Sequence, residues 1–232
     1  MSLMKAMILA AGLGTRLKPF TDEHPKALYH VEGKTLLEHA LLHVSKNGIK
    51  DVLINIHHFA DQIIEYLHLN NNFGLNISIS DETGELLETG GGLKKASWFF
   101  TGCDAALVRN VDILSDIDLR RMTEYHIASK GLATLAVRNR ETSRYFLFDE
   151  TMKLCGWENL KTGERRMARP SDTVNALAFS GIQIIDPQMF SLITEEGKFS
   201  LTDLYLRLAE TQNICGYPEE GLLWRDVGRM GE

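Results

Sequence analysis

The sequence predicts an α/β fold in which one domain carries a central mixed, mostly parallel sheet flanked by helices. Three apolar runs, at residues 5–10, 51–56 and 105–111, are continuous rather than alternating, as strands buried on both faces are. Between them lie segments with apolar side chains at helical spacing. Strands alternating with helices at this rhythm build a parallel sheet covered on both sides. At 232 residues the chain can bury one sizeable core and is short for two ordinary domains.

The run at 5–10 stops at Gly12, as a buried strand stops at a turn. Residues 35–47 follow as a helix, with Leu36, Leu37, Ala40, Leu41 and Val44 on one face and Gly48 as its C-terminal stop. Gly33-Lys34-Thr35 reads as the turn into that helix; a Walker A loop would need glycine at 28, where the chain has Leu28. Residues 51–56 form a second strand, 60–69 an amphipathic helix and 76–80 a third strand. The glycines at 90–92 open a helix running towards Phe100, and 105–111 is the fourth strand. After Leu132 the rhythm loosens, and strand-like pieces at 132–137, 145–148, 153–157 and 177–185 are separated by polar stretches. Helices at 187–193 and 201–211 complete the pattern, the second with Leu201, Leu204, Tyr205 and Leu208 on one face.

A net charge of −6 argues against a nucleic-acid coat or an anionic membrane surface, both of which call for a basic face. An acidic chain that handled phosphates would have to gather its cations locally. Cys103, Cys155 and Cys215 are far apart and form no CxxC pair, which fits a reducing compartment rather than a disulfide framework. No apolar run approaches the roughly 20 residues needed to span a bilayer. No signal-peptide pattern precedes Lys5, so a cytoplasmic protein is expected. His57-His58 has no Cys or third His at ligand spacing, so a zinc site is not expected there.

The most informative segment is the loop from Ala10 to Pro19. Gly12 and Gly14 allow the backbone to approach an anion closely, and successive amides there can cradle phosphates. Arg16 adds a bidentate donor and Lys26, after Pro25, a point charge. A dinucleotide fingerprint fails, because its third small residue would fall at Leu17.

The string 7–17, Met-Ile-Leu-Ala-Ala-Gly-Leu-Gly-Thr-Arg-Leu, followed by Pro25-Lys26, resembles the signature of the sugar-phosphate nucleotidyltransferases, the nucleoside-diphosphate-sugar pyrophosphorylases. Further similarity runs along the chain at 87–92, Asn110-Val111-Asp112, 179–182 and 224–228. Asn55-Ile56-His57-His58 and the glycine run resemble most the N-acetylmuramate-1-phosphate uridylyltransferases, with mannose-1-phosphate guanylyltransferase-like proteins nearly as similar. The resemblance implies a Rossmann-like nucleotide-diphospho-sugar transferase fold. Residues 1 to about 131 would then form the nucleotide side and 132–232 the acceptor side. It implies a nucleoside triphosphate and a sugar 1-phosphate as substrates, joined with release of pyrophosphate, by a monomer or small homo-oligomer. The absence of repeating hexapeptides before Glu232 argues against the acetyltransferase-fused relatives.

By the same resemblance Arg16 and Lys26 are the catalytic cations. Ala11, Gly12, Leu13, Gly14, Thr15, Glu88, Thr89, Gly90, Gly91 and Asn110 bind the nucleotide, and Asp112 and Asp226 hold Mg²⁺. Asp112 also ends an apolar strand at the sheet edge where open α/β folds bind ligands. On the sugar-phosphate side the family's Lys is replaced by Asn159. That leaves Glu158, Lys161, Ser180 and Gly181, with Arg144 as a second candidate for the missing cation. Two other functions remain open. A phosphocholine cytidylyltransferase of the same fold would need an aromatic cage, for which Trp157, Tyr145 and Phe179 are available. A non-catalytic NDP-sugar-binding regulatory homologue would have lost phosphate cations or metal carboxylates, whereas Arg16, Lys26, Asp112 and Asp226 are all present.

Overall fold

The computed structural model describes residues 3–219 and 223–229. In chain order the first strands are β1 (Met4–Leu9), the short pair β2 (His30–Val31) and β3 (Lys34–Thr35), β4 (Asp51–Ile56), β5 (Asn76–Asp81), β6 (Ala105–Asn110) and β7 (Ile113–Ser115). They are followed by β8 (Ala133–Arg138), β9 (Arg144–Phe148), β10 (Leu154–Asn159), β11 (Glu164–Met167), β12 (Asn175–Ile185), β13 (Ile214–Pro218) and β14 (Trp224–Asp226). The α-helices are α1 (Leu36–Lys46), α2 (Ala60–Leu69), α3 (Glu88–Lys95), α4 (Leu119–Ser129) and α5 (Leu201–Ala209).

A ten-stranded sheet runs β11-β10-β9-β12-β6-β1-β4-β5, with β8 beside β12 and β13 beside β8. It is parallel through β5-β4-β1-β6, where helices separate the strands in sequence. From β6 to β12 and onward through β9, β10 and β11 it is antiparallel, because that part of the chain returns through loops instead of helices. Side chains of β1 alternate between two cores. Ala6 and Ile8 join α1 and α2 on one face, and Met7 joins Leu93, Leu204 and Tyr205 from α3 and α5 on the other.

Local chemistry sets the helix starts. The Thr35 hydroxyl accepts from Glu38 N at 3.0 Å, Asp118 accepts from Arg120 N and Arg121 N, and the Ser200 hydroxyl accepts from Asp203 N. Residues 30–35 form a hairpin that turns at Glu32 and Gly33, both at positive φ, and delivers Thr35 as the α1 cap. The segment expected as a helix at 187–193 is a 3₁₀ helix, Pro187–Leu192, capped by Asp186. Helix α4 and strands β7, β11, β13 and β14 complete the fold beyond the elements that periodicity predicts. The leading residues Met1 and Ser2, and Leu222 in the apolar piece before Trp224, lie outside the described residues.

One pair, the buried Arg109 and the partly buried His43, gives the fold a pH dependence. Arg109 is wholly buried on β6 and donates to His43 Nδ1 at 2.6 Å, so His43 Nε2 carries the proton and donates to Ile117 O. Burial, reinforced by the Arg109 charge, lowers the His43 pKa to about 4. The folded state then binds fewer protons than the unfolded chain between about pH 6.5 and 4. Stability is therefore expected to fall as pH drops through that window, by about 3 kcal/mol from this residue. Urea midpoints at pH 7.5 and 4.5 check this: His43→Gln should show a clearly smaller acid loss than the parent chain, and equal losses would remove His43 as the cause.

Candidate active site

The loop after β1 is shaped by close packing. Gly14 has φ 63°, and a Cβ there would sit 2.8 Å from Lys26 Cβ and 2.9 Å from Thr21 Cγ2. The Thr21 hydroxyl donates to Gly14 O at 3.0 Å. Glycine is therefore needed for the loop to lie against the Lys26 stem. Gly12, by contrast, has open space at its Cβ position and lines the adjoining cleft.

The carboxylates converge from two directions. Asp112 follows β6, and the β7–β14 pairing sets Asp226 opposite Ile113. Val227 N donates to Asp112 O at 3.0 Å, fastening the two segments together. Gly228 sits where they meet: a Cβ there would lie 2.9 Å from Asp112 Oδ2, 3.1 Å from Asp226 Oδ1 and 3.1 Å from Arg16 Nη2. Lys26 Nζ forms an ion pair with Asp112 Oδ2, with both side chains mostly buried. Two carboxylates and two cations thus share one corner, and only a residue without a side chain fits between them. Behind this corner, Arg109 donates to Ile113 O and holds the turn that carries Asp112. An ion pair between Arg225 and Glu32 ties β14 to the β2–β3 hairpin.

A second buried network fixes the mouth of the sheet. Asn55 Oδ1 accepts from Ala10 N at 2.7 Å, and its Nδ2 donates to Glu82 Oε1 at 2.7 Å. Glu82 Oε2 accepts from Leu87 N at 3.2 Å. One amide and one carboxylate therefore link the ends of β1, β4 and β5 to the start of α3. Gly92 makes room for them, since a Cβ there would lie 2.7 Å from Glu82 Oε1.

These elements enclose a cleft of about 620 Å³. Ala11, Gly12, Arg16, Lys26, Glu88, Thr89, Asn110 and Asp112 line it, together with Arg144, Phe146, Phe179, Gln183 and Tyr205. A model of the family described as nucleotidyl transferase matches residues 5–231 of the chain. The chain belongs to the nucleotidyl transferase family. It is an enzyme of the sugar-1-phosphate nucleotidyltransferase type.

The transferase is 34% identical to N-acetylmuramate alpha-1-phosphate uridylyltransferase from Neisseria meningitidis serogroup B, over 98% of this chain and 94% of that protein. It is 32% identical to the protein of the same name from Caulobacter vibrioides, over 96% and 91%. Among solved structures it resembles a putative glucose-1-phosphate thymidylyltransferase from Bacillus anthracis, with a TM-score of 0.78 and 22% identity over 97% of this chain and 90% of that one. That last likeness bears on the fold alone.

Several expected site residues of the transferase have structural partners. Gly90 N and Gly91 N donate to Phe199 O, and a Cβ on either would collide with the 197–199 segment. The Thr89 hydroxyl accepts from Leu201 N, while Glu88 forms a 3.7 Å ion pair with Lys198. The glycine run thus seats α3 against the start of α5. Leu13, Gly14 and Thr15 belong to the loop but are not among the residues lining the cleft.

Of the residues expected to bind the sugar phosphate, Arg144 lines the cleft, whereas Lys161 lies on the exposed turn between β10 and β11. Glu158 pairs with Arg165 at 4.0 Å. Ser180 and Gly181 form a bulge in β12, and Gly181 at φ 78° abuts Ile113. Trp224 Nε1 donates to Ser180 O at 3.0 Å, so the bulge is held by the segment that carries Asp226. The aromatic cage does not assemble. Trp157 is covered by the Arg166 guanidinium at 4.8 Å, and the Tyr145 hydroxyl accepts from Thr142 N and donates to Arg140 O. Of the three only Phe179 lines the cleft.

Asn55, Glu82, Gln183 and Tyr205 were not anticipated as cleft residues. Their signal was available for the first three: Asn55 and Gln183 interrupt otherwise apolar strands, and Glu82 directly follows one. Tyr205 gave none, since it reads as one more residue of the α5 apolar face.

Proposed function

We propose that the chain transfers a uridylyl group from UTP to an N-acetylated amino sugar 1-phosphate, with Mg²⁺ as cofactor. The observation that carries this reading is the meeting of Asp112, Asp226 and Arg16 around Gly228, with Lys26 on Asp112, beside an open glycine loop. The choice of substrates draws on the two uridylyltransferases that match nearly the whole chain at 32% and 34% identity.

The residues fit a magnesium ion. Mg²⁺ is held by one or two carboxylates together with substrate phosphates and water, and Asp112 and Asp226, which converge at Gly228, supply two such carboxylates. Among the described residues no cluster of three or more His, Cys, Asp and Glu offers a closed cage instead. Asp112 and Asp226 would hold the ion, which when bound would neutralise charge on the triphosphate.

The rest follows from the chain's own groups. A phosphate oxygen of the sugar 1-phosphate attacks the α-phosphorus of UTP, one P–O bond forms, and the bond to the departing pyrophosphate breaks. The attacking group is already an anion, so no general base is required. Arg16 offers a forked donor to the triphosphate at the glycine loop. Lys26 neutralises Asp112 in the free enzyme. From the same corner the Lys26 ammonium would neutralise negative charge developing on the α-phosphate. Lys26→Ala is therefore expected to lower kcat about 100-fold while leaving UTP binding nearly unchanged; a rise in KM alone would contradict that role. The substrate assignment is tested by pyrophosphate release with Mg²⁺ across four nucleoside triphosphates, a panel of sugar 1-phosphates and phosphocholine. UTP with an N-acetylated amino sugar 1-phosphate should be strongly preferred, and preference for any other pair would overturn the assignment.

A further inference from the structure

We propose that Gln183 and Tyr205 recognise the acetamido group of the acceptor sugar and set the preference for an N-acetylated substrate. This rests on reading the cleft as the acceptor site for such a sugar.

The two residues come from separate elements, β12 just past its bulge and the first turns of α5, and both line the cleft. They are almost wholly buried, at 2% and 1% exposure. Yet Gln183 Oε1 and Tyr205 Oη have no hydrogen-bond partner among the described residues. Buried polar atoms are nearly always paired, because leaving one unpaired costs as much as a lost hydrogen bond. Two such atoms on side chains that line one cleft therefore point to a ligand that completes them.

The pattern they present is specific. Gln183 Oε1 can only accept, and burial pushes the Tyr205 phenol well above its usual pKa, so it is protonated and able to donate. The ligand must therefore bring both a donor and an acceptor. The surrounding wall is apolar, made by Leu201 and by Phe146 and Phe179, whose rings lie edge to face at 6.1 Å. The cationic groups of the cleft, Arg16, Lys26 and Arg144, come from other elements, the loops after β1 and the start of β9. A neutral group with adjacent N–H and C=O and a small apolar end fits this wall. An acetamido group has all three: its N–H would donate to Gln183, its carbonyl would accept from Tyr205, and its methyl would meet the phenylalanines. A sugar hydroxyl can donate to one partner and accept from the other, but it supplies no methyl for the apolar wall. The N–H and C=O edge of a uracil ring shares the polar part of the pattern, so the test separates the two sources.

Calorimetry with UDP-N-acetylglucosamine, UDP-glucose and UMP, on the parent chain, Tyr205→Phe and Gln183→Leu, makes that separation without requiring turnover. The parent chain should bind UDP-N-acetylglucosamine at least about 10-fold more tightly than UDP-glucose. Either substitution should erase most of that difference while changing UDP-glucose and UMP by less than about two-fold. Equal losses for all three ligands would place the pair under the base and overturn the proposal, as would no loss at all. Tyr205→Phe should also leave the melting temperature unchanged or raise it, since it removes an unpaired buried hydroxyl; a clear fall would show a structural partner and overturn it. If the parent chain discriminates in binding yet releases no pyrophosphate with any substrate pair, the enzymatic reading fails while this one stands. Binding of neither UDP-sugar overturns both.

Discussion

Asp112→Asn is expected to lower turnover at least 100-fold, about 2.7 kcal/mol of transition-state stabilisation, while leaving the fold intact. The side chain keeps its shape but loses the charge that two features depend on. It can no longer serve as an anionic metal ligand, and it leaves the Lys26 ammonium without its counter-ion in a mostly buried corner. A modest loss of stability, about 1–3 kcal/mol, should accompany the catalytic defect. The two effects separate by titrating Mg²⁺. The variant should need a much higher Mg²⁺ concentration for half-maximal rate, whereas a purely structural defect would lower the rate equally at every concentration. Near-normal turnover would remove Asp112 from the mechanism.

Gly228→Ala should be nearly as damaging, although it changes no charged group. Its Cβ would enter the point on which Asp112, Asp226 and Arg16 converge, at 2.9–3.1 Å from each. At least one of them must move, and small displacements of positioning groups cost about 100-fold in rate. Gly228 has no left-handed φ, so alanine meets no backbone strain and the chain should fold normally. Unchanged circular dichroism together with a 100-fold lower kcat is the expected pair of results. An active variant would mean that the three groups do not act from their observed positions.

Much of the parallel half of the sheet was legible because β1, β4 and β6 are mostly apolar and α1 and α2 carry clean stripes. Residues 51–56 and 60–69 appear as strand and helix with those same bounds. Helix α4 was not legible. Its buried face is only Leu119, Met122 and His126, and a histidine bonded to the Thr134 hydroxyl does not register as apolar. Strands β13 and β14 are short and gain their order from pairing with β8 and β7, which no local pattern reveals. In the site, Arg16, Lys26 and Asp112 stood out through the loop motif and the strand end. The glycines at 90 and 91 were legible as important but not for what they do. Their amides hold Phe199 O, a contact more than 100 residues away in sequence. Tyr205 stayed hidden for the same reason: it reaches the cleft only through the packing of α5 against α3, β10 and β13.

This cleft is expected to form a bond between a nucleotide's α-phosphorus and a sugar 1-phosphate. Phosphorus NMR of UTP, Mg²⁺ and N-acetylglucosamine 1-phosphate incubated with the chain follows that bond directly. Coupled diphosphate resonances of a UDP-sugar should grow in step with free pyrophosphate, and neither signal should appear with Asp112→Asn on the same timescale. Pyrophosphate appearing with UMP and an untouched sugar phosphate would show hydrolysis instead of transfer and contradict that expectation.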